Sequence, residues 1–302
     1  MKRSWGLLAA LLAACAHHSQ YLGPDDFDHP PIPYTARFAY GPDTLQHADL
    51  RLPKGTGPFP VAVVVHGGCW RAWHTYRAME EVAQWLTDKG WATWNIEYRT
   101  VDRPGGGWPG TFLDVGSATD YLRQAAAEAP LDLTRVVVVG HSAGGHLALW
   151  LAARHRISPG AQLYRGDPLA LAGAVSLAGI PNLRRYYEVQ QDACGEGVRL
   201  LLGGPPDSAP DRYAQASPAE LLPLRVPQLL IHGEADKNVP LVNAQAYAQV
   251  AKDRGDHVDV AVIPEAAHFE LMAPRAASWE KISAPLLAFL ARIQSGEGVR
   301  PR

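Results

Sequence analysis

The segment RVVVVGHSAGGHLALWLAA spans residues 135–153 and joins two apolar runs of different character through a glycine-rich turn. Residues 135–139 contain four consecutive valines, as expected of a strand that is buried on both faces. Residues 143–153 are rich in Ala and Leu, which favour a helix. The turn has the pattern Gly-x-Ser-x-Gly, and its glycines allow a sharp change of direction. The segment therefore predicts a strand, a tight turn centred on Ser142, and a buried helix.

Similar apolar runs alternate with helix-forming stretches before and after this segment. Helical patterns lie near residues 76–89 and 115–129. The remaining strand candidates are residues 61–65, 91–98, 171–177, 228–231 and 258–263. Buried strands separated by helices predict an α/β fold in which a mostly parallel central sheet carries helices on both faces. In such folds, ligands bind beyond the C-terminal ends of the strands.

Composition limits the classes of protein to which the chain can belong. The sequence has 302 residues, of which 47% are hydrophobic and 19% charged, and its formal net charge is −2. These apolar residues suffice for the core of a large domain, and there is no basic excess to attract nucleic acid. The Cys and His residues lack the spacing of a zinc site. We expect a globular protein without a structural zinc site.

The N-terminus has the pattern of a bacterial export signal. Residues 1–3 are Met-Lys-Arg, and the apolar stretch that follows ends near residue 14 and is too short to span a bilayer. The sequence Leu-Ala-Ala-Cys at residues 12–15 resembles a lipoprotein lipobox. That resemblance implies a signal peptide over residues 1–14, lipidation of Cys15 and an anchored protein facing the periplasm or cell surface. A plain secretory signal with a chance cysteine is the alternative. Ala16 weakly favours sorting to the outer membrane.

The rest of the chain divides into a tether and one domain. Residues 15–33 are polar and Pro-rich, which predicts a tether without a core of its own. Residues 34–302 then form the domain. Within it, residues 180–223 are rich in Gly, Pro, Tyr and Arg, and they predict a small cap insertion. Cys69 and Cys194 have two interpretations, a disulfide that an exported compartment would permit or two unpaired thiols, and the sequence does not choose between them.

Ser142 is the candidate nucleophile, because a serine on a strand–turn–helix elbow projects its hydroxyl into the cleft at the end of the sheet. Acyl-transfer chemistry also needs backbone N–H donors for a negatively charged oxygen. One candidate donor is Ala143, at the start of the helix. Gly68 is the second candidate and Gly67 the third, because both follow the strand at residues 61–65 and allow the backbone to approach a substrate.

The acid and the base are expected after the nucleophile, in the order Ser, Asp or Glu, His. Asp236 follows the strand at residues 228–231, and we prefer it to Glu234. His268 follows the last strand and is the candidate general base. The side chain of His141, inside the elbow, is expected to turn away from the cleft.

Four motifs in this order resemble the kynurenine formamidase-like and carboxylesterase branch of the α/β-hydrolase fold. They are HGGCW at 66–70, GHSAGG at 140–145, HGEAD at 232–236 and AAHFE at 266–270. The likeness covers roughly residues 50–292 and implies cleavage of a small-molecule carboxylic ester or activated amide through an acyl-serine, without a metal or an organic cofactor. An export signal is unexpected for a tryptophan-catabolic formamidase, and it favours an exported esterase.

Other functions share these motifs. An arylformamidase or a serine peptidase-like amidase would carry the same residues. A non-catalytic lipoprotein on a hydrolase scaffold is an alternative of another class, against which the intact Ser142, Asp236 and His268 argue. Several aromatic residues are candidates for the wall of a substrate pocket, with core packing as an equal alternative. These residues are Trp70, Trp73, Trp108, Tyr186 and Tyr187.

Overall fold

The computed structural model describes residues 21–190 and 193–296, so the predicted signal peptide and Cys15 lie outside the described residues. Within this part of the chain, one eight-stranded sheet has the order β1-β2-β4-β3-β5-β6-β7-β8. Its strands are β1 (Ala36–Ala39), β2 (His47–Arg51), β3 (Phe59–Val65), β4 (Ala92–Ile96), β5 (Leu131–His141), β6 (Gly173–Leu177), β7 (Gln228–Gly233) and β8 (Val258–Ile263).

All neighbouring pairs from β4 to β8 along the sheet are parallel, whereas β2 runs antiparallel to both β1 and β4. The predicted α/β fold with a mostly parallel sheet is therefore confirmed. The sequence pattern does not predict β1 and β2, because both strands are short and carry charged residues. Asp49 of β2 is fully buried, and it accepts hydrogen bonds of 2.6 and 2.9 Å from Arg37 of β1.

Nine α-helices occur in the described residues. They are α1 (Glu80–Asp88), α2 (Gly110–Asp120), α3 (Leu122–Ala125), α4 (Ala143–Ala153), α5 (Leu183–Val189), α6 (Ala193–Leu202), α7 (Pro210–Ala216), α8 (Val242–Asp253) and α9 (Trp279–Ser295). None of them combines the length and apolarity needed to span a bilayer. Every residue of α4 is buried, which explains why this helix is apolar on all sides.

The two faces of the sheet carry separate hydrophobic cores. Val61, Val63 and Val65 of β3 belong to one core, with α2, α3, α4 and α8. Ala62 and Val64 belong to the other, with α1 and α9. Successive strand residues point to opposite faces, so a run of five apolar residues is explained by helices on both sides.

The segment between β6 and β7 contains α5, α6 and α7, where the sequence predicts a cap insertion. Helix α6 is attached to the loop after β3 by a disulfide between Cys69 and Cys194. The contact is close, since a Cβ added to Gly197 of α6 would lie 2.6 Å from the carbonyl oxygen of Cys69. The insertion is therefore fixed to the loop that carries Gly67 and Gly68.

Part of the predicted tether packs against the domain. Residues 24–27 form a 3₁₀ helix, and Phe27 is buried in the core that contains α9. The backbone N–H of Leu22 donates to the buried carboxylate of Glu270. Residues 21–33 thus pack onto the core of the domain, because the composition of this segment is polar but Phe27 itself has apolar surface to bury.

His146 on α4 connects two other parts of the chain. Its Nδ1 accepts a hydrogen bond of 3.1 Å from the indole N–H of Trp70, and its Nε2 donates to the carbonyl of Ala216 at 2.9 Å. Because the indole nitrogen can only donate, His146 is neutral and carries its proton on Nε2. Burial lowers the pKa of His146 to about 4.

We predict that His146 makes the protein less stable as the pH falls from about 6.5 to about 4. In this window the unfolded chain binds a proton at His146 and the folded chain does not, so unfolding becomes easier. Between pH 7 and pH 5 the loss is about 2 kcal/mol. The variant His146→Gln can keep both hydrogen bonds but cannot titrate, so its free energy of unfolding in urea should fall less over this interval. An equal fall in both proteins would contradict this role.

Candidate active site

Ser142 lies in a strained turn between β5 and α4. Its φ is 56° and its ψ is −120°, a conformation that is costly for a residue with a Cβ. Its backbone N–H donates to the carbonyl of Leu177 at 2.8 Å. A Cβ at Gly140 would lie 2.1 Å from the carbonyl oxygen of Gly144, and one at Gly144 would lie 2.2 Å from that of Val65. Both glycines of the motif are therefore required by close backbone contacts, and the predicted strand, turn and helix are present.

Asp236 and His268 meet at the ends of the neighbouring strands β7 and β8. The Nδ1 atom of His268 lies 2.7 Å from Oδ2 of Asp236. The other oxygen of Asp236 accepts backbone N–H bonds of 2.9 Å from Asn238 and from Val239. Both side chains are buried. The carboxylate thus holds one ring nitrogen of His268 and leaves Nε2 for a reacting group.

The structure brings Asp236 to His268, whereas Glu234, the alternative weighed from the sequence, is exposed. Gly233 allows the close approach of the two loops. A Cβ at this position would lie 2.3 Å from the carbonyl oxygen of Ala267, immediately before the histidine.

His141 contradicts the expectation that its side chain turns away from the cleft. It lines the same cavity as Ser142 and His268. Its ring centroid lies 4.6 Å from that of His268, and its Nε2 donates to the carbonyl of His268 at 3.0 Å. Burial lowers the pKa of His141 well below its usual range, and the neighbouring His268 lowers it further. The loop after β8 folds back over the elbow, so a neutral His141 supports the backbone of His268.

The loop after β3 lies against the elbow. A Cβ at Gly67 would lie 2.7 Å from the carbonyl oxygen of His141 and 3.1 Å from Cβ of Ser142. Gly68 has a φ of +103°, which an L side chain rarely adopts. Both glycines line the cavity beside Ser142. Ala143 is the first residue of α4, where the backbone N–H has no acceptor within the helix. Donors from two chain segments can therefore approach one oxygen in this cavity.

His66, which precedes the two glycines, holds the start of this loop in place. Its Nδ1 lies 2.9 Å from the carbonyl oxygen of Gly67, and its Nε2 lies 2.9 Å from the carboxylate of Glu97. Burial opposes ionisation of Glu97, but His66 and two backbone N–H donors outweigh it and lower the pKa of this carboxyl group. These two contacts give His66 a structural role in the loop.

The cavity that contains Ser142 and His268 has a volume of about 740 Å³. Aromatic side chains in its wall are Phe27, Trp73 and Phe269. His74 also lines it, and burial, with smaller contributions from His66 and His268, lowers the pKa of His74 to about 4. In the described part of the chain, no three His, Cys, Asp or Glu side chains are grouped as metal ligands.

Of the predicted aromatic wall residues, Trp73 lines the cavity, but Tyr187, Trp70, Trp108 and Tyr186 do not. The last three side chains each have a partner elsewhere. Trp70 donates to His146, Trp108 donates to Gln162 at 2.8 Å, and Tyr186 donates to the carbonyl of Asn238 at 2.8 Å. Their assignment as substrate-binding residues is therefore corrected. Composition identifies aromatic residues but does not tell which way their side chains point.

Comparison with known proteins relates the chain to esterases by sequence. Esterase LipC of Mycobacterium tuberculosis is 29% identical over 228 residues, covering 70% of this chain and 54% of the relative. The probable carboxylic ester hydrolase LipM of the same organism is 25% identical over 248 residues, covering 80% and 56%. The chain thus spans about half the length of the curated relatives it matches.

Solved structures show the same fold. Esterase B of Lactobacillus rhamnosis has a TM-score of 0.77 at 18% identity, with 91% of this chain and 93% of that chain covered. Thermogutta terrifontis esterase 2, phosphonylated by sarin, has a TM-score of 0.71 at 22% identity, with 90% and 99% covered.

The family assignment rests on a match that covers most of the domain. Residues 48–250 match the BD-FAE family, and they include both the loop after β3 and the elbow of Ser142. Asp236 lies within the match and His268 follows it. The chain therefore belongs to the BD-FAE family of the α/β-hydrolase superfamily.

Proposed function

We propose that the protein is a serine hydrolase that cleaves carboxylic esters through an acyl-serine intermediate. The observation that carries the proposal is the 2.7 Å contact between His268 Nδ1 and Asp236, at a cavity that also contains Ser142 in its strained turn. This arrangement presents a hydroxyl, an imidazole with a free ring nitrogen and a carboxylate to one small volume.

In the proposed reaction, Ser142 attacks the ester carbonyl while Nε2 of His268 accepts its proton. Asp236 holds Nδ1 and stabilises the imidazolium that forms. The N–H groups of Ala143 and of Gly68, with Gly67 as the alternative, bind the tetrahedral oxyanion, and each donor lowers its energy by about 3 kcal/mol. His268 then protonates the leaving alcohol. In the second half, it activates water, which releases the acid from Ser142.

We predict covalent labelling by a fluorophosphonate, because this reagent requires an activated serine. Ser142→Ala should not label, and His268→Ala should label at least about a thousandfold more slowly than the unmodified protein. His257→Ala is a matched control, since His257 also faces a carboxylate, that of Asp259 at 3.8 Å, but on the surface. This variant should label normally. Equal labelling of the unmodified protein and Ser142→Ala would refute the proposal and favour a non-catalytic role.

The narrower substrate class is a separate proposal. The names of the relatives LipC and LipM support an ester, whereas the HGGCW and GHSAGG motifs resemble those of formamidases. We propose ester hydrolysis as the main activity. Short and long aryl esters should therefore be hydrolysed with a higher kcat/KM than N-formylkynurenine. The reverse order in a hydrolysis panel would assign the chain to the kynurenine formamidase-like branch.

We also propose that the protein is exported and anchored by lipid on Cys15. The lipobox at residues 12–15 supports this, and the disulfide of Cys69 and Cys194 is typical of an oxidising compartment. In a bacterial host, Cys15→Ala should move the protein from the membrane fraction to the soluble fraction. The same distribution for both proteins would contradict the anchor. Separation of the two membranes tests the expected preference for the outer one.

A further inference from the structure

A segment N-terminal to the matched family region forms one side of the proposed catalytic cavity. We call residues 21–33 the strap. Four of its residues line the same cavity as Ser142 and His268, namely Pro24, Asp25, Phe27 and Asp28. The strap lies outside residues 48–250, which match the family, so it is a contribution of this chain's own sequence to the cavity.

The strap and the loop of the proposed base share one buried carboxylate. Glu270 is buried, and its Oε1 accepts the backbone N–H of Leu22 in the strap. Its Oε2 accepts the backbone N–H of Ala267, the residue before His268, at 3.0 Å. A buried carboxylate depends on such donors, because each lost hydrogen bond leaves charge without compensation. The position of the strap is therefore coupled to that of the base.

Basic side chains hold the rest of the strap. Arg275 donates to the carbonyl of Asp26, and its guanidinium carbon lies 4.8 Å from the ring centroid of Phe27. Arg77 donates to the carbonyl of His29. Further along, Arg51 donates to the carbonyls of Ile32 and Pro33 at 3.0 and 3.1 Å. These donors satisfy carbonyl groups of a segment that forms no strand, and they fix it as a wall.

Phe27 is the aromatic residue of the strap that lines the cavity. It is 6% exposed, and its ring centroid lies 6.0 Å from that of Phe269, the residue after His268. In serine hydrolysis the histidine protonates the departing alcohol, so the space beside it holds the alcohol part of the ester. Phe27 and Phe269 thus stand on the leaving-group side.

We propose that the strap determines which alcohol groups the enzyme accepts. Phe27 limits the size of the leaving alcohol, and Glu270 is a positioning residue that keeps the strap against the loop of His268. Neither side chain acts on the reacting atoms. The inference rests on the proposed ester hydrolysis and deepens it, since it assigns the specificity for the alcohol group of the ester to residues 21–33.

The test compares two ratios of kcat/KM in the full-length protein. The alcohol ratio sets 4-methylumbelliferyl acetate against 4-nitrophenyl acetate, and the acyl ratio sets 4-nitrophenyl butyrate against 4-nitrophenyl acetate. Phe27→Ala should raise the alcohol ratio at least about fivefold and leave the acyl ratio within about twofold. Glu270→Gln should move the alcohol ratio in the same direction. Tyr34→Ala is the matched control, since Tyr34 is an exposed aromatic residue just beyond the strap, and neither ratio should change.

Two results for Phe27→Ala would overturn the inference while leaving ester hydrolysis intact. One is an alcohol ratio within about twofold of that of the unmodified protein, and the other is an acyl ratio that rises as much as the alcohol ratio. If Phe27→Ala does not fold, Phe27→Leu gives the same readout, because leucine keeps an apolar contact with Phe269 but removes the ring. Failure of the unmodified protein to hydrolyse any ester would instead refute the proposed function, and the inference with it.

Discussion

Ser142 is held at a φ of 56°, and this one backbone constraint organises the surrounding structure. A non-glycine residue in such a conformation costs about 1–3 kcal/mol, so the neighbouring structure must make every alternative worse. Burial of the whole of α4 and the hydrogen bond to Leu177 provide that stabilisation. The close contacts at Gly140 and Gly144 then explain why no side chain is accepted on either side. The packing of the sheet against the helix therefore holds the turn in its strained conformation.

The loops around the turn are tied to it and to one another. Three contacts attach the loop after β3 to its surroundings. Trp70 donates a hydrogen bond to α4, Cys69 forms a disulfide with α6, and Gly67 packs closely against the elbow. His141 supports the backbone of His268, and Glu270 joins that loop to the strap. His141 and His146 are neutral, because burial disfavours their charged form. Neutral side chains with fixed hydrogen bonds keep the cavity preorganised, which electrostatic stabilisation of an oxyanion requires.

The sequence predicted the parts of this structure that depend on local pattern. The pattern of residues 135–153 predicted a strand, a turn and a helix. Asp236 and His268 were predicted as partners because each follows a strand and because they come after Ser142 in the expected order. The sequence did not predict features that depend on contacts between residues far apart in the chain. The burial of Asp49 in β2 is explained by its contact with Arg37, and the burial of Phe27 by contacts that include Phe269 and Arg275. Likewise, nothing local shows that Trp70 faces His146 rather than the cavity.

The most direct measurement is a crystal structure of the protein after reaction with a small phosphonate, which imitates the tetrahedral intermediate. The account predicts phosphorus bonded to Oγ of Ser142 and a phosphoryl oxygen about 2.7–3.1 Å from the backbone nitrogens of Ala143 and Gly68. His268 should keep its contact with Asp236 and direct Nε2 at the adduct. Phosphorus on another residue, or a phosphoryl oxygen turned away from these donors and from His268, would contradict the account.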